Sequence, residues 1–238
     1  MDRIKLIKFV TLTVLISNCF TSNTMTSEKK NIAEVDKQLR HALETGDYKE
    51  AKKAIENGAN LDMEYDWGGT PLVKASYLDP KFTKLLLDSK VKAFVNQKTK
   101  DGSTALHSAA SSDNVDNIKL LISAGADVNI QNNEGYTPLL YYFSNVHCRF
   151  KLDVIKLFLD HGADLTLKSK FNRAPIDYIA ISADEYRPFD ADVLKLFQEY
   201  QEKRRKKVQE EVNEHLAPPG LADIVGEYVV GPKEQQLR

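Results

Sequence analysis

The chain has 238 residues, 42% of them apolar and 28% charged, with a formal net charge of −1, the make-up of an ordinary globular protein of one or two domains. So neutral a balance lacks the basic surplus that phosphate backbones demand, and it gives no reason to place nucleic acid among the partners. Two cysteines, Cys19 and Cys148, are too few and too far apart for a disulfide framework or a metal cluster.

In chain order, Arg3, Lys5 and Lys8 precede a short apolar run from Phe9 to Ile16. A bilayer takes about 20 residues to span, so the run is too short for a comfortable crossing. The pattern predicts a secretory signal peptide over residues 1–18, with an uncleaved signal anchor as the alternative. Ile16-Ser17-Asn18-Cys19 resembles a relaxed bacterial lipoprotein box, which makes Cys19 the candidate lipidation site and a bacterium the implied source. Asn18 departs from the small residue usual there, and ordinary cleavage nearby would release a soluble protein instead. The expectation is an exported chain, secreted or tethered at the cell envelope, that meets membrane only through an N-terminal lipid. Residues 19–31 are polar and aperiodic and read as a flexible tether.

Laying the chain against itself aligns four segments: Thr70-Pro71-Leu72-Val73-Lys74-Ala75, Thr104-Ala105-Leu106-His107-Ser108-Ala109, Thr137-Pro138-Leu139-Leu140-Tyr141-Tyr142 and Ala174-Pro175-Ile176-Asp177-Tyr178-Ile179. Their starts lie 34, 33 and 37 residues apart. Gly58-Ala59-Asn60, Gly125-Ala126-Asp127 and Gly162-Ala163-Asp164 each fall twelve residues before one of them. Two motifs held in phase at such a period are the mark of a repeat architecture. Each unit predicts a helical hairpin. Threonine is a good N-cap and proline is tolerated at the first helical position. Small residues such as Ala75-Ser76 and Ala109-Ala110 allow close helix contact, and the second helix carries apolar residues at helical spacing, as in Val115, Ile118, Leu120, Leu121 and Ile122. Glycine then ends the helix.

On these motifs the chain resembles the ankyrin-repeat family over residues 32–200. The resemblance implies an all-α ankyrin-repeat solenoid of about five helix-turn-helix repeats, beginning near residues 33, 70, 104, 137 and 174. The last ends in a long charged capping helix from near Asp190, with residues 201–238 as a C-terminal helical extension. Three departures stand out. Lys90 takes the place of the helix-ending glycine, so that turn should be irregular. Tyr142 and Phe143 replace small residues and must splay the helices or fill a gap, with about four residues inserted around Val146–Lys151. Asn172 replaces the finger glycine seen at Gly68, Gly102 and Gly135.

The resemblance further implies a protein-binding module, not an enzyme, whose concave finger and inner-helix surface meets another protein. Carried across, the binding positions are Asp66, Trp67 and Tyr77 in the second unit, Lys100, Asp101 and Ser103 in the third, Asn133, Glu134 and Tyr136 in the fourth, and Lys170, Phe171 and Arg173 in the fifth. Trp, Tyr and Arg dominate interface energetics, and the rival reading is that some of these rings fold back on neighbouring repeats. His107 belongs to the repeat's own backbone-bonding slot. No cofactor or metal is implied: the histidines lack ligand spacing, and Cys148 beside His147 reads as a surface thiol. Lys203-Arg204-Arg205-Lys206-Lys207 is flanked by glutamates and reads as a self-paired helix. The apolar spacing of Leu221, Ile224, Val225 and Tyr228 after Pro218-Pro219 predicts a short amphipathic cap. Its faint likeness to an F-box-like segment leaves a second reading, a secreted effector that recruits host machinery.

Overall fold

The computed structural model describes residues 32–89, 94–144, 151–181 and 191–215, all helices and turns with no strand among them. The chain divides after Asp127 into two compact units. The first holds three hairpins: α1 (32–45) with α2 (Tyr48–Glu56), α3 (Pro71–Ala75) with α4 (Pro80–Asp88), and α5 (Ala105–Ser111) with α6 (Val115–Ser123). The second holds α7 (Pro138–Ser144) with α8 (Leu152–Asp160), and α9 (Pro175–Ile181) with α10 (Ala191–His215). Within the first unit α3 packs on α5 and α4 on α6; within the second α7 packs on α9 and α8 on α10. First helices stack on first helices and second on second, the all-α repeat architecture expected.

Local chemistry starts and stops each helix where the repeat expects. The Thr70 and Thr137 hydroxyls accept from Val73 and Leu140 N–H at 3.3 and 3.2 Å. Asp47 and Asn114 cap α2 and α6 in the same way. Such a cap is worth about 1 kcal/mol. At the far ends, Gly58, Gly125 and Gly162 take left-handed φ of 86, 93 and 83°, and Ala59, Ala126 and Ala163 N–H return to the carbonyls of Ala54, Leu121 and Phe158. A side chain from the repeat before holds each such loop: Asp36 Oδ1 accepts from Asn60 N–H at 2.7 Å, and asparagines serve the other two. Asn96 Oδ1 accepts from Asp127 N–H at 2.8 Å, and Asn129 accepts from Asp164 N–H at 2.8 Å while donating to the Gly162 carbonyl at 2.9 Å.

The core is a ladder of small and aliphatic side chains: Leu39, Leu72, Leu86, Leu106, Ile118 and Leu121 in the first unit, Leu139, Leu140, Ile155 and Phe158 in the second. Each fully buried one contributes about 1.5–3 kcal/mol. Tyr142 and Phe143 fill a gap. Tyr142 is fully buried, its hydroxyl accepting from Lys151 N–H at 3.0 Å, and Phe143 meets Phe197 of α10 edge-on at 5.9 Å. Asn172 adopts φ 56°, the left-handed conformation of the glycines it replaces, which asparagine tolerates better than other side chains. The irregular turn expected at Lys90 and the insertion at Val146–Lys151 fall wholly or largely outside the described residues, as do residues 1–31 with Cys19, the His147-Cys148 pair and the segment 216–238.

Candidate partner-binding site

Four loops, the fingers, precede the first helices, and one turn closes all of them. Tyr65, Thr99, Asn132 and Ser169 donate their N–H to the carbonyls of Gly69, Ser103, Tyr136 and Arg173 at 2.8–3.0 Å. Gly68, Gly102, Gly135 and Asn172 N–H return to the carbonyls of Tyr65, Thr99, Asn132 and Ser169 at 2.7–2.9 Å. The two residues enclosed are the tip: Asp66-Trp67, Lys100-Asp101, Asn133-Glu134 and Lys170-Phe171, all eight exposed. Ser103, Tyr136 and Arg173 stand one residue past the turn, at the foot of the following helix. Tyr77, just beyond α3, is 51% exposed.

In the first unit much of this chemistry is turned inward. Trp67 is 54% exposed, yet its ring stacks on Tyr65 at 5.5 Å and 25° and lies against Gly69, where a Cβ would collide with it. Tyr65 is 3% exposed, with the Arg40 guanidinium 4.7 Å over its ring. Burial pushes the Tyr65 phenol up to about 12, against the opposing pull of Arg40, and its hydroxyl has no hydrogen-bond partner among the described residues. The Lys100 stem crosses Gly68 and its Nζ donates to the Asp66 carbonyl at 3.2 Å. Burial raises the Asp101 carboxyl, but hydrogen bonds from the Thr99 hydroxyl and from the Ser103 hydroxyl and N–H outweigh it and hold the group low. Ser103 is buried and occupied in that network, so it presents no open hydroxyl to a partner.

In the second unit the aromatics open outward. Tyr136 is half-buried at the centre of a cluster, with Tyr141 edge-on at 5.7 Å and Phe171 and Tyr178 each at 6.4 Å. The Tyr178 hydroxyl donates to the Tyr136 hydroxyl at 3.0 Å, and the Arg173 guanidinium lies 5.7 Å over the Tyr178 ring. Burial pushes the Tyr136 phenol up to about 12. Phe171 remains 65% exposed. Asn132 shapes the finger by accepting from Glu134 and Tyr136 N–H, each at 3.0 Å, and Lys170 N–H donates to the Glu134 carbonyl at 2.8 Å.

The family profile described as "Ankyrin repeats (3 copies)" matches residues 39–132 and 81–169, more than half of the chain. The chain belongs to the ankyrin-repeat family. It is 35% identical over 123 residues to an ankyrin repeat protein of fowlpox virus, a match covering 49% of this chain and 34% of the viral protein. A second fowlpox ankyrin repeat protein is 32% identical over 138 residues, covering 56% of this chain and 23% of the relative. Mouse "Ankyrin repeat, SAM and basic leucine zipper domain-containing protein 1" is 30% identical over 122 residues, covering 49% of this chain and 25% of the relative. The chain thus spans about a fifth to a third of the curated relatives it matches. They are viral and mammalian, and lend no support to a bacterial source. Ankyrin repeats are interaction scaffolds, not catalytic domains.

Other residues of the ankyrin array have structural duties. His107 is buried, and its Nδ1 accepts from Thr104 N–H at 3.1 Å, closing the start of α5. Asp177 does the same in the last repeat, accepting from Ala174 N–H at 2.7 Å. The basic run of α10 is paired by Glu202–Lys206 and Glu211–Lys207 one turn apart, with Arg204 reaching Asp164 at 4.0 Å. Among the described residues no group of His, Cys, Asp or Glu is placed to hold a metal, and no helix is long and apolar enough to cross a membrane. Sequence reasoning missed Arg40, Tyr65, Tyr141 and Tyr178. A signal existed for the last two: tyrosine occupies the same motif position in consecutive repeats, where Lys74 and Ser108 stand earlier.

Proposed function

We propose that this chain binds a partner protein through its finger tips and the adjoining faces of its first helices. One observation carries the reading: four fingers share a single hydrogen-bonded turn, while the exposed tip pair changes chemistry from one to the next. A constant scaffold with varied, exposed tips is built for selecting a partner, not for holding the fold. Because the turns are already formed, binding orders little backbone, and affinity comes from a few anchors such as Phe171. Ser103 leaves the candidate set on its burial; the other positions stay in it.

A photo-crosslinking amino acid placed at Lys100 or Asn133, in the native cell, tests this. Crosslinks to one protein from these tips, and none from Lys84 or Lys156 on second helices, support the reading. The reverse pattern would sink it. We infer further, from the basic start and apolar run of residues 1–18, that the array is exported on the tether 19–31. Intact-mass measurement of the mature protein checks this. An acylated species beginning at Cys19 means a membrane tether, an unmodified species beginning close after residue 18 means release, and a retained Met1 refutes cleavage.

A further inference from the structure

We propose that the fingers of the fourth and fifth repeats form a docking site for an acidic peptide segment that carries an aromatic anchor. The proposal rests on the finger-binding reading and names the chemistry of its partner.

The anchor site is the ring cluster around Tyr136. Its rings leave Phe171 65% exposed and Tyr136, Tyr141 and Tyr178 half-buried, so a further ring can add edge-on to faces already held in place. The acid preference comes from the rim. Lys168, Lys170 and Arg173 are all exposed, and none lies within ion-pairing distance of a carboxylate among the described residues. Two carboxylates stand near. They are Glu134 and Asp177, the latter also accepting from Ala174 N–H at the start of α9. Three cations against these two carboxylates leave a positive surplus, which favours an anionic partner. Lys168 and Lys170 flank the buried Ser169 and are both exposed. Charges spread along a finger suit carboxylates spaced along an extended peptide better than a single dianionic phosphate. The first-unit fingers lack this combination, since Tyr65 is buried and Lys100 is engaged on the Asp66 carbonyl.

The test is selection of a randomised peptide library on the full chain, followed by anisotropy titration with a random Glu–Tyr copolymer as a defined probe. Selected peptides should place Asp or Glu around one Phe, Tyr or Trp. The triple variant K168E/K170E/R173E should weaken copolymer binding about tenfold or more, as attraction turns to repulsion. Phe171→Ala should weaken it by a comparable factor, as loss of an anchor does. Helical content should be unchanged in both, because all four side chains are exposed. Selected peptides of neutral or basic composition that still need Phe171 would overturn the acid preference and leave finger binding standing. Peptides insensitive to all four substitutions would place binding elsewhere and overturn the site. Equal binding of heparin or single-stranded DNA would reveal an unselective polyanion surface and overturn it too, as would a library that enriches nothing.

Discussion

The fingers of the two units use the same turn and aromatic chemistry to opposite ends. In the first, Tyr65 lies below the tip and is buried, so Trp67 has a platform to lie on and Arg40 a ring to cover. In the second, the position equivalent to Tyr65 is Asn132, whose side chain hydrogen-bonds within the turn, and the rings come from the foot of the finger and the first helices. Gly69 leaves room for Trp67 to fold over it onto Tyr65, whereas Arg173 stands at the equivalent position in the finger of the fifth repeat, where Phe171 stays exposed. An aromatic at a finger tip is therefore a binding anchor or a packing element according to its neighbours.

The sharpest way to break the comparison is truncation. Tyr65→Ala should cost about 3–5 kcal/mol in denaturant unfolding, the usual penalty for deleting a buried ring. Phe171→Ala, at an exposed tip, should stay within about 0.5 kcal/mol. Equal costs would mean the two clusters serve one purpose.

Backbone comes next. Gly135 has φ 79°, and a Cβ there would lie 3.0–3.2 Å from the backbone of residues 168–170. Gly135→Ala should cost about 1–3 kcal/mol, from the left-handed conformation together with the crowding. Asn172→Gly should change stability by less than about 1 kcal/mol, since both residues accept a left-handed φ.

A smaller effect is tied to pH. Unfolded tyrosines ionise near 10, whereas Tyr65 and Tyr136 are held up to about 12 in the fold. Stability present below pH 10 is therefore lost as pH rises from 10 towards 12. Tyr65→Phe should make that decline shallower, and at neutral pH it should be neutral or stabilising by about 1 kcal/mol, because a buried unpaired hydroxyl is removed. Melting temperatures across that range check both.

The least costly change is Gly69→Ala, expected to stay below about 1 kcal/mol because the obstructing ring can swing away. Trp67 is the only tryptophan, so its emission reports the swing without interference. A red shift is expected, and unchanged emission would show that the ring never rested on Gly69.

Much of this was legible beforehand because it is local. Thr-Pro starts, glycine stops and helical spacing place the first helices, α6 and α10 to within a few residues, since caps and periodicity act over one turn of chain. The seat of Trp67 was not legible, because it depends on a glycine two residues on and on a ring whose burial is set by another helix. Nor was the cluster around Tyr136, whose partners lie up to 42 residues away and meet only when α7 packs on α9.

The sequence by itself determined the repeat, its period and its helical hairpins, because each follows from short-range capping and apolar periodicity, while the finger-tip positions followed from the resemblance to the ankyrin family. Only the tertiary structure decided which tips stay open. Ser103 was drawn into a hydrogen-bond network, Trp67 was laid on Tyr65, and Phe171 was left exposed beside Lys170 and Arg173. Those outcomes depend on space and polar partners supplied by neighbouring repeats, which no single segment of the chain specifies.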